Sequence, residues 1–180
     1  SVGLIKAFKE KTDIEIVAHL TLVGKSKKEL SRIINEFKLL GIRKVVALRG
    51  DSPDGEFKAH ADGFSNTADF VEFLVASDMA VVVSAYPEPH PDSEGFEFDI
   101  NLLKEKTLAG SNQCITQFCF SMADYQKLVD KIAKEKIQNE LTAGIMPIYN
   151  IASLCNMAER CGTKISSEIV NQFSDDPLKN

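Results

Sequence analysis

The 180 residues carry 44% hydrophobic and 26% charged side chains, apolar material for one sizeable core at the charge density of an ordinary globular domain. That balance excludes a disordered or collagen-like chain, and no apolar run approaches the roughly 18 to 20 residues that a membrane span requires. Lys and Arg number 21 against 26 Asp and Glu, a net charge of -5, which disfavours a general nucleic-acid binder and leaves room for a local basic pocket.

The first residues, Ser1 to Lys6, lack the apolar core and cleavage site of a signal peptide and read as the middle of a helix, so the chain is expected to be a fragment. Residues 14–20 read as a strand. Lys27 to Leu40 read as a helix, with Ser26 as its N-cap and Gly41 where a C′ residue belongs. A strand over Lys44 to Leu48 leads to a loop through Pro53 and Gly55, then a helix over Thr67 to Ala76. Ala80 to Ala85 is a strand continuous enough to be buried on both faces. A Pro-rich loop precedes a helix over Phe98 to Ala109 that Gly110 stops. Then follow a strand over Cys114 to Phe120, a helix over Met122 to Lys136, a weaker strand over Leu141 to Met146, and helices over Asn150 to Cys161 and Ser166 to Phe173.

Strands recur at intervals of roughly 30 to 36 residues, the length of a βα unit, without sequence repetition or a linker, so residues 1–180 are expected to be one domain. The alternation implies a parallel sheet covered by helices, either doubly wound or a (β/α)8 TIM barrel. No strand runs into G-x-G-x-x-G. Polar residues end nearly every strand: His19, Arg49-Gly50-Asp51, Tyr86 with Glu88 and His90, and Gln117. Barrel enzymes keep their chemistry at that end of their strands, so the barrel is preferred, with this chain supplying five of its eight units.

Each of these residues has a plain reading beside a functional one. Arg49 and Asp51 form an internal ion pair or loop cap, or else Arg49 faces an anion while Asp51 presents a carboxylate, with Gly50 permitting close backbone approach. Tyr86-Pro87-Glu88-Pro89-His90-Pro91 is a stiff turn, or a rigid support for a ring and an imidazole. His19 is a core histidine or a ligand contact; Gln117 must hydrogen-bond something at the strand end. Lys104-Glu105-Lys106 alone reads as a solvated helix face. The cysteines at 114, 119, 155 and 161 form no CxxC pair and read as buried free thiols in a reducing cytosol, with no metal site. No Ser-His-Asp order, P-loop or HExxH string is present, and the residues alone leave the reaction open.

Six strings share the order and spacing of one family: His19-Leu20-Thr21, Val46 to Asp51, Ala85 to Pro91, Lys104 to Lys106 with Ala109-Gly110, Ile115 to Phe120, and Gly144 to Pro147. On them the chain resembles methylenetetrahydrofolate reductase from about Val2 to Ser174. The resemblance implies a (β/α)8 barrel holding FAD at its strand ends. NAD(P)H reduces the flavin, which passes hydride on to 5,10-methylenetetrahydrofolate in one-carbon metabolism. It further implies FAD contacts at His19, Arg49, Gly50, Asp51, Tyr86, His90, Asp99 and Lys106, with Lys106 at a phosphate and Tyr86 as a ring platform. Asp51 is implied to be catalytic, through its charge beside flavin and folate, and Asp51 and Gln117 to bind substrate.

A cytoplasmic homo-oligomer with folate and nicotinamide nucleotide as partners, and neither nucleic acid nor membrane, completes what the resemblance implies. Asn66, Leu102, Ser153 and Met157 depart from the family pattern. The first two strands, with a glutamate general acid, and the last strand are expected to lie outside this span, which corresponds to strands three to seven. The 180 residues alone are therefore not expected to sustain catalysis. A non-catalytic flavin- or folate-binding barrel remnant is the alternative, and an unrelated barrel enzyme binding an anion through Arg49 and Lys106 a third reading.

Overall fold

The computed structural model describes residues 2–51 and 57–174. Helix α1 (Val2–Lys11) precedes β1 (Ala18–Thr21), α2 (Lys27–Leu39), β2 (Lys44–Leu48), α3 (Thr67–Ala76), β3 (Ala80–Ala85) and α4 (Phe96–Leu108). Then come β4 (Gln113–Thr116), α5 (Met122–Lys134), β5 (Glu140–Thr142), α6 (Ile151–Cys161) and α7 (Ser167–Ser174). The loop expected through Pro53 and Gly55 lies outside the described residues.

The strands form one sheet in the order β1-β2-β3-β4-β5. In the parallel β1–β2 ladder His19 stands opposite Val46, and in the parallel β2–β3 ladder Val46 stands opposite Val82. A parallel sheet whose spatial order follows the chain winds in one direction, as in a (β/α)8 barrel; a doubly wound sheet reverses at a switch point. The fold is therefore α/β, five consecutive units of a partial (β/α)8 barrel.

The chain divides into two compact units, one running to Ser84 and adding Glu105–Gln113, the other made of Ala85–Lys104 and the chain from Cys114 on. In the first unit, Leu30, Ile34 and Phe37 of α2 fall on one helical stripe and are buried. Both faces of β2 and β3 are covered, with Val45, Val46, Ala47, Val81, Val82 and Val83 all buried, as their unbroken apolar runs predict. Ser26 caps α2 with a full capping box: its Oγ accepts from Glu29 N–H at 3.2 Å, and its own N–H donates to Glu29 Oε2 at 2.8 Å. Gly41 follows at φ 71°, in the left-handed region where a side chain is disfavoured.

In the second unit Phe118, Leu154 and Ala158 form a core cluster ringed by Phe120, Met146, Ile148, Ile151, Cys161 and Ile165. Lys131 of α5 meets Glu97 of α4 at 2.7 Å and Glu135 at 3.3 Å, and Lys104 reaches Glu135 at 3.4 Å. Cys114 is buried and the other three cysteines half-buried, all as free thiols.

Three strands differ in their bounds from the sequence reading, β5 covering Glu140–Thr142 and not Leu141 to Met146. β1 starts at Ala18 and not Ile14, and Ile14 and Val17 are exposed, so their β-branched side chains find no covering layer. β4 ends at Thr116 and not Phe120, and just beyond it the Phe118 N–H is taken by the Gln117 side chain, as described below.

Candidate functional site

In the first unit the pleat of β1 buries Ala18 and Leu20 and leaves His19 exposed on the opposite face, so the histidine is no core residue. Pairing of β1 with β2 continues beyond both strands: Leu22 N–H donates to Leu48 O at 3.0 Å and Val23 N–H to Arg49 O at 2.9 Å. That extension fixes the backbone of the Arg49-Gly50-Asp51 string. Arg49 is half-buried, its guanidinium 5.6 Å from the ring centre of Phe57, within cation–π range. Asp51 is exposed.

Gly50 has φ 82°, and a Cβ there would come within 2.6 Å of Val23 Cγ1 and 2.9 Å of Thr21 Cβ. The protein's own neighbouring segment thus demands glycine at this position, in addition to any ligand. Beside it Lys25, which the sequence did not single out, donates to Thr21 Oγ1 at 2.9 Å. The only cue was its place just after Gly24, at φ 65°, where the chain turns from strand to helix.

Lys106 contradicts the solvated-face reading of Lys104 to Lys106. It is 3% exposed and its Nζ approaches both the carbonyl and the hydroxyl of Ser84 at 3.4 Å. A buried ammonium needs polar company, and Ser84 is the one polar side chain in the strand Ala80–Ala85. Lys104 is exposed and ion-paired, as that reading expects.

In the second unit the Tyr86 and His90 rings meet edge to face at a centroid distance of 5.1 Å. The His90 N–H donates to Asp99 Oδ2 at 2.9 Å, and His90 Nδ1 accepts from Asp92 N–H at 3.1 Å. The second contact fixes the ring tautomer, leaving Nε2 to carry the proton of a neutral imidazole. Asp99, 6% exposed, therefore holds the loop that carries both rings.

Gln117 N–H donates to Ala85 O at 2.9 Å, and its side-chain Oε1 accepts from Phe118 N–H at 3.0 Å. The side-chain amide thus stands in for a backbone partner of Phe118 N–H just past the end of β4. Gly144 N–H donates to Thr116 Oγ1 at 2.8 Å, and a Cβ on Gly144 would collide with Thr116 O. Glu88, which carried no assigned role, is 7% exposed; its Oε1 accepts from Lys164 N–H at 2.8 Å while Oε2 is buried without a partner among the described residues. Burial pushes its carboxyl above the ordinary range, against the pull of the Lys164 N–H bond, and Asp124 adds to the rise. Burial likewise raises the Cys119 thiol, which makes it a poor nucleophile.

Of the four positions expected to depart from the family pattern, Asn66 has a structural role. Asn66 caps α3, accepting from Asp69 N–H at 2.8 Å. Ser153 and Met157 lie one turn apart on α6, both exposed. Leu102 is half-buried on α4. Among the described residues no cluster of His, Cys, Asp or Glu has the makings of a metal site, and no helix is long and apolar enough to cross a membrane.

Sequence comparison bears on these motifs. The chain is 36% identical over 166 residues to 5,10-methylenetetrahydrofolate reductase of Salmonella typhimurium, covering 92% of this chain and 55% of that protein. It is 33% identical over 172 residues to the Escherichia coli K12 protein of the same name, covering 95% of this chain and 57% of that one. The Zea mays protein named methylenetetrahydrofolate reductase (NADH) 1 is 32% identical over 181 residues, covering 93% of this chain and 30% of its own. The chain thus spans little more than half the length of its bacterial relatives. The family model described as methylenetetrahydrofolate reductase matches residues 1–180, the whole sequence, and the chain belongs to that family.

Proposed function

We propose that this chain serves a flavin-dependent reductase that converts 5,10-methylenetetrahydrofolate to 5-methyltetrahydrofolate with NAD(P)H. The observation that carries the reading is the family match over the whole chain, with the Arg49-Gly50-Asp51 and Tyr86-to-Pro91 strings intact within it.

The donor chemistry fits FAD. Arg49 and the buried Lys106 are cations suited to a diphosphate, His19 and His90 offer imidazole donors, and Tyr86 and His90 present ring edges and faces. In this reading His19, Arg49, Gly50, Asp51, Tyr86, His90, Asp99 and Lys106 serve the cofactor, Asp99 by fixing the His90 backbone. When bound, the flavin would supply two-electron transfer between the nicotinamide and the folate. Asp51 contributes a fixed negative charge where positive charge develops on the substrate, a contribution that counts most in the transition state. Gln117, with its Oε1 engaged by Phe118 N–H, offers its NH2 group as a donor to an acceptor on a pterin edge. The chain acts within a single barrel domain of a cytoplasmic homo-oligomer.

The test uses the full-length protein. Purified protein should show flavin absorbance, and should catalyse both NADH–menadione turnover and methylenetetrahydrofolate reduction. Flavin without either activity would favour the non-catalytic remnant. A colourless protein that rebinds no FAD would remove the flavin reading altogether.

A further inference from the structure

The loop from Tyr86 to Pro91 and the turn after α6 are 76 residues apart at their hydrogen-bonded contact, yet one hydrogen bond and close packing join them. Glu88 Oε1 accepts the Lys164 N–H at 2.8 Å. One residue earlier, the buried Thr163 hydroxyl donates to Phe118 O at 3.1 Å, tying the same turn to the segment just after β4. Gly162 takes φ 72° as the left-handed cap of α6, and a Cβ there would sit 3.1 Å from Pro91 Cγ and 3.2 Å from Pro89 O. The turn therefore lies directly on the proline loop.

A carboxyl is an unusual choice for so dry a place. Glu88 is 7% exposed, and its Oε2 is buried with no hydrogen-bond partner among the described residues. An amide would satisfy the same N–H without a titratable oxygen, and an apolar side chain would fill the space. Glu88 sits two residues after Tyr86 and two before His90, the rings that meet at 5.1 Å.

We propose that Glu88 is a positioning residue, a buried clasp that seats the Tyr86–His90 loop on the 162–164 turn and thereby sets where the two rings stand. Asp99 holds the loop from the α4 side through His90 N–H, and Glu88 holds it from the α6 side through Lys164 N–H. The charged and titratable groups facing Glu88 are Asp124 of α5, Lys164 of the turn, and Cys119 after β4. Asp124 opposes ionisation of Glu88, and Lys164 favours it more weakly than burial opposes it. Any effect of the clasp on cofactor affinity rests on the proposed flavin reading; the clasp itself does not.

The experiment compares full-length wild type with Glu88→Gln, which keeps length and acceptor, and Glu88→Met, which keeps length and loses the acceptor. Amide hydrogen exchange at Thr163 and Lys164 and the NMR signals of the Tyr86 and His90 rings are read without flavin, and FAD affinity is read separately. Glu88→Met should raise Lys164 exchange about tenfold or more, the scale of one lost buried hydrogen bond, and should shift both ring signals. Glu88→Gln should restore wild-type exchange within about threefold and return the ring signals. Unchanged exchange in Glu88→Met, or ring signals that stay put while Lys164 opens, would overturn the clasp. If Glu88→Met does not fold, Thr163→Val cuts the second tie at constant volume. It must then open the same turn and move the same rings, and its failure to do so would overturn the proposal equally. Ring signals that move with no change in FAD affinity would leave the clasp standing and count against the flavin role of Tyr86 and His90.

Discussion

Asp99 Oδ2 receives the backbone N–H of His90 at 2.9 Å, so a side chain on the first turn of α4 fixes the main chain of the loop before it. The acceptor is 6% exposed, and its loss leaves a donor in need of a partner. Asp99→Ala should destabilise the protein by about 1–3 kcal/mol, while Asp99→Asn, which keeps an acceptor, should cost less than half of that. Urea unfolding midpoints of the two variants check this, and equal midpoints would show that the bond contributes nothing.

Asp51 is exposed at the end of its string, free of the burial that would make it structural. Asp51→Asn in the full-length protein should slow folate reduction about tenfold or more, on the scale of one transition-state contact, and should largely spare flavin reduction by the nicotinamide. Stopped-flow measurement of the two half-reactions separates them. Folate reduction at the wild-type rate would remove Asp51 from the chemistry.

Gln117 spends its Oε1 on the neighbouring Phe118 N–H and keeps its NH2 group for other partners. Gln117→Ala should raise the folate KM several-fold, with flavin content near stoichiometric. Steady-state kinetics and the ratio of flavin to protein absorbance decide it. Lost flavin with an unchanged KM would move Gln117 to the cofactor.

Glu88 predicts a pH dependence. Its folded carboxyl is raised chiefly by burial, with Asp124 adding to the rise. The unfolded chain releases this proton first as pH climbs, and the folded protein holds it longer. Its contribution to stability is therefore full below the ordinary carboxylate range and is lost as pH rises through the raised folded value. Glu88→Gln cannot titrate, so its stability relative to wild type should increase from about pH 4 upward and then level off. Unfolding midpoints across that range would show parallel curves if the carboxyl were not raised.

Gly144 stands where any Cβ meets the Thr116 carbonyl. Gly144→Ala should cost about 1–3 kcal/mol or more, through displacement of the backbone and the bond from Gly144 N–H to Thr116 Oγ1. A wild-type melting temperature in that variant would show that the segment has room to yield.

What the residues disclosed in advance was mainly local. The unbroken apolar runs of β2 and β3 gave their bounds, and Ser26 with Glu29 announced the start of α2. The motif strings disclosed the family. Long-range partners were not legible: nothing near Glu88 points to Lys164, and nothing in Lys104-Glu105-Lys106 tells that one ammonium is buried against Ser84 while its neighbour two residues back is exposed. Boundaries failed next to a side chain that bonds the backbone, as Gln117 does at Phe118 N–H, or where β-branched residues such as Ile14 and Val17 lacked a covering layer.

The alternation in β1 has a consequence for editing this chain. Ala18 and Leu20 are buried and His19 is exposed, in register with Val45, Ala47 and Val46 of β2. A slip of the pairing by one residue would turn the imidazole inward and set two apolar side chains in water. The histidine thus acts as a spelling mark for the strand, because its polarity makes the wrong alignment unfavourable whatever else it does. A single-residue insertion or deletion between Lys11 and Ala18 can be absorbed in the segment before the strand. The same change inside Ala18–Thr21 would scramble the order of faces that brings Thr21 beside Gly50.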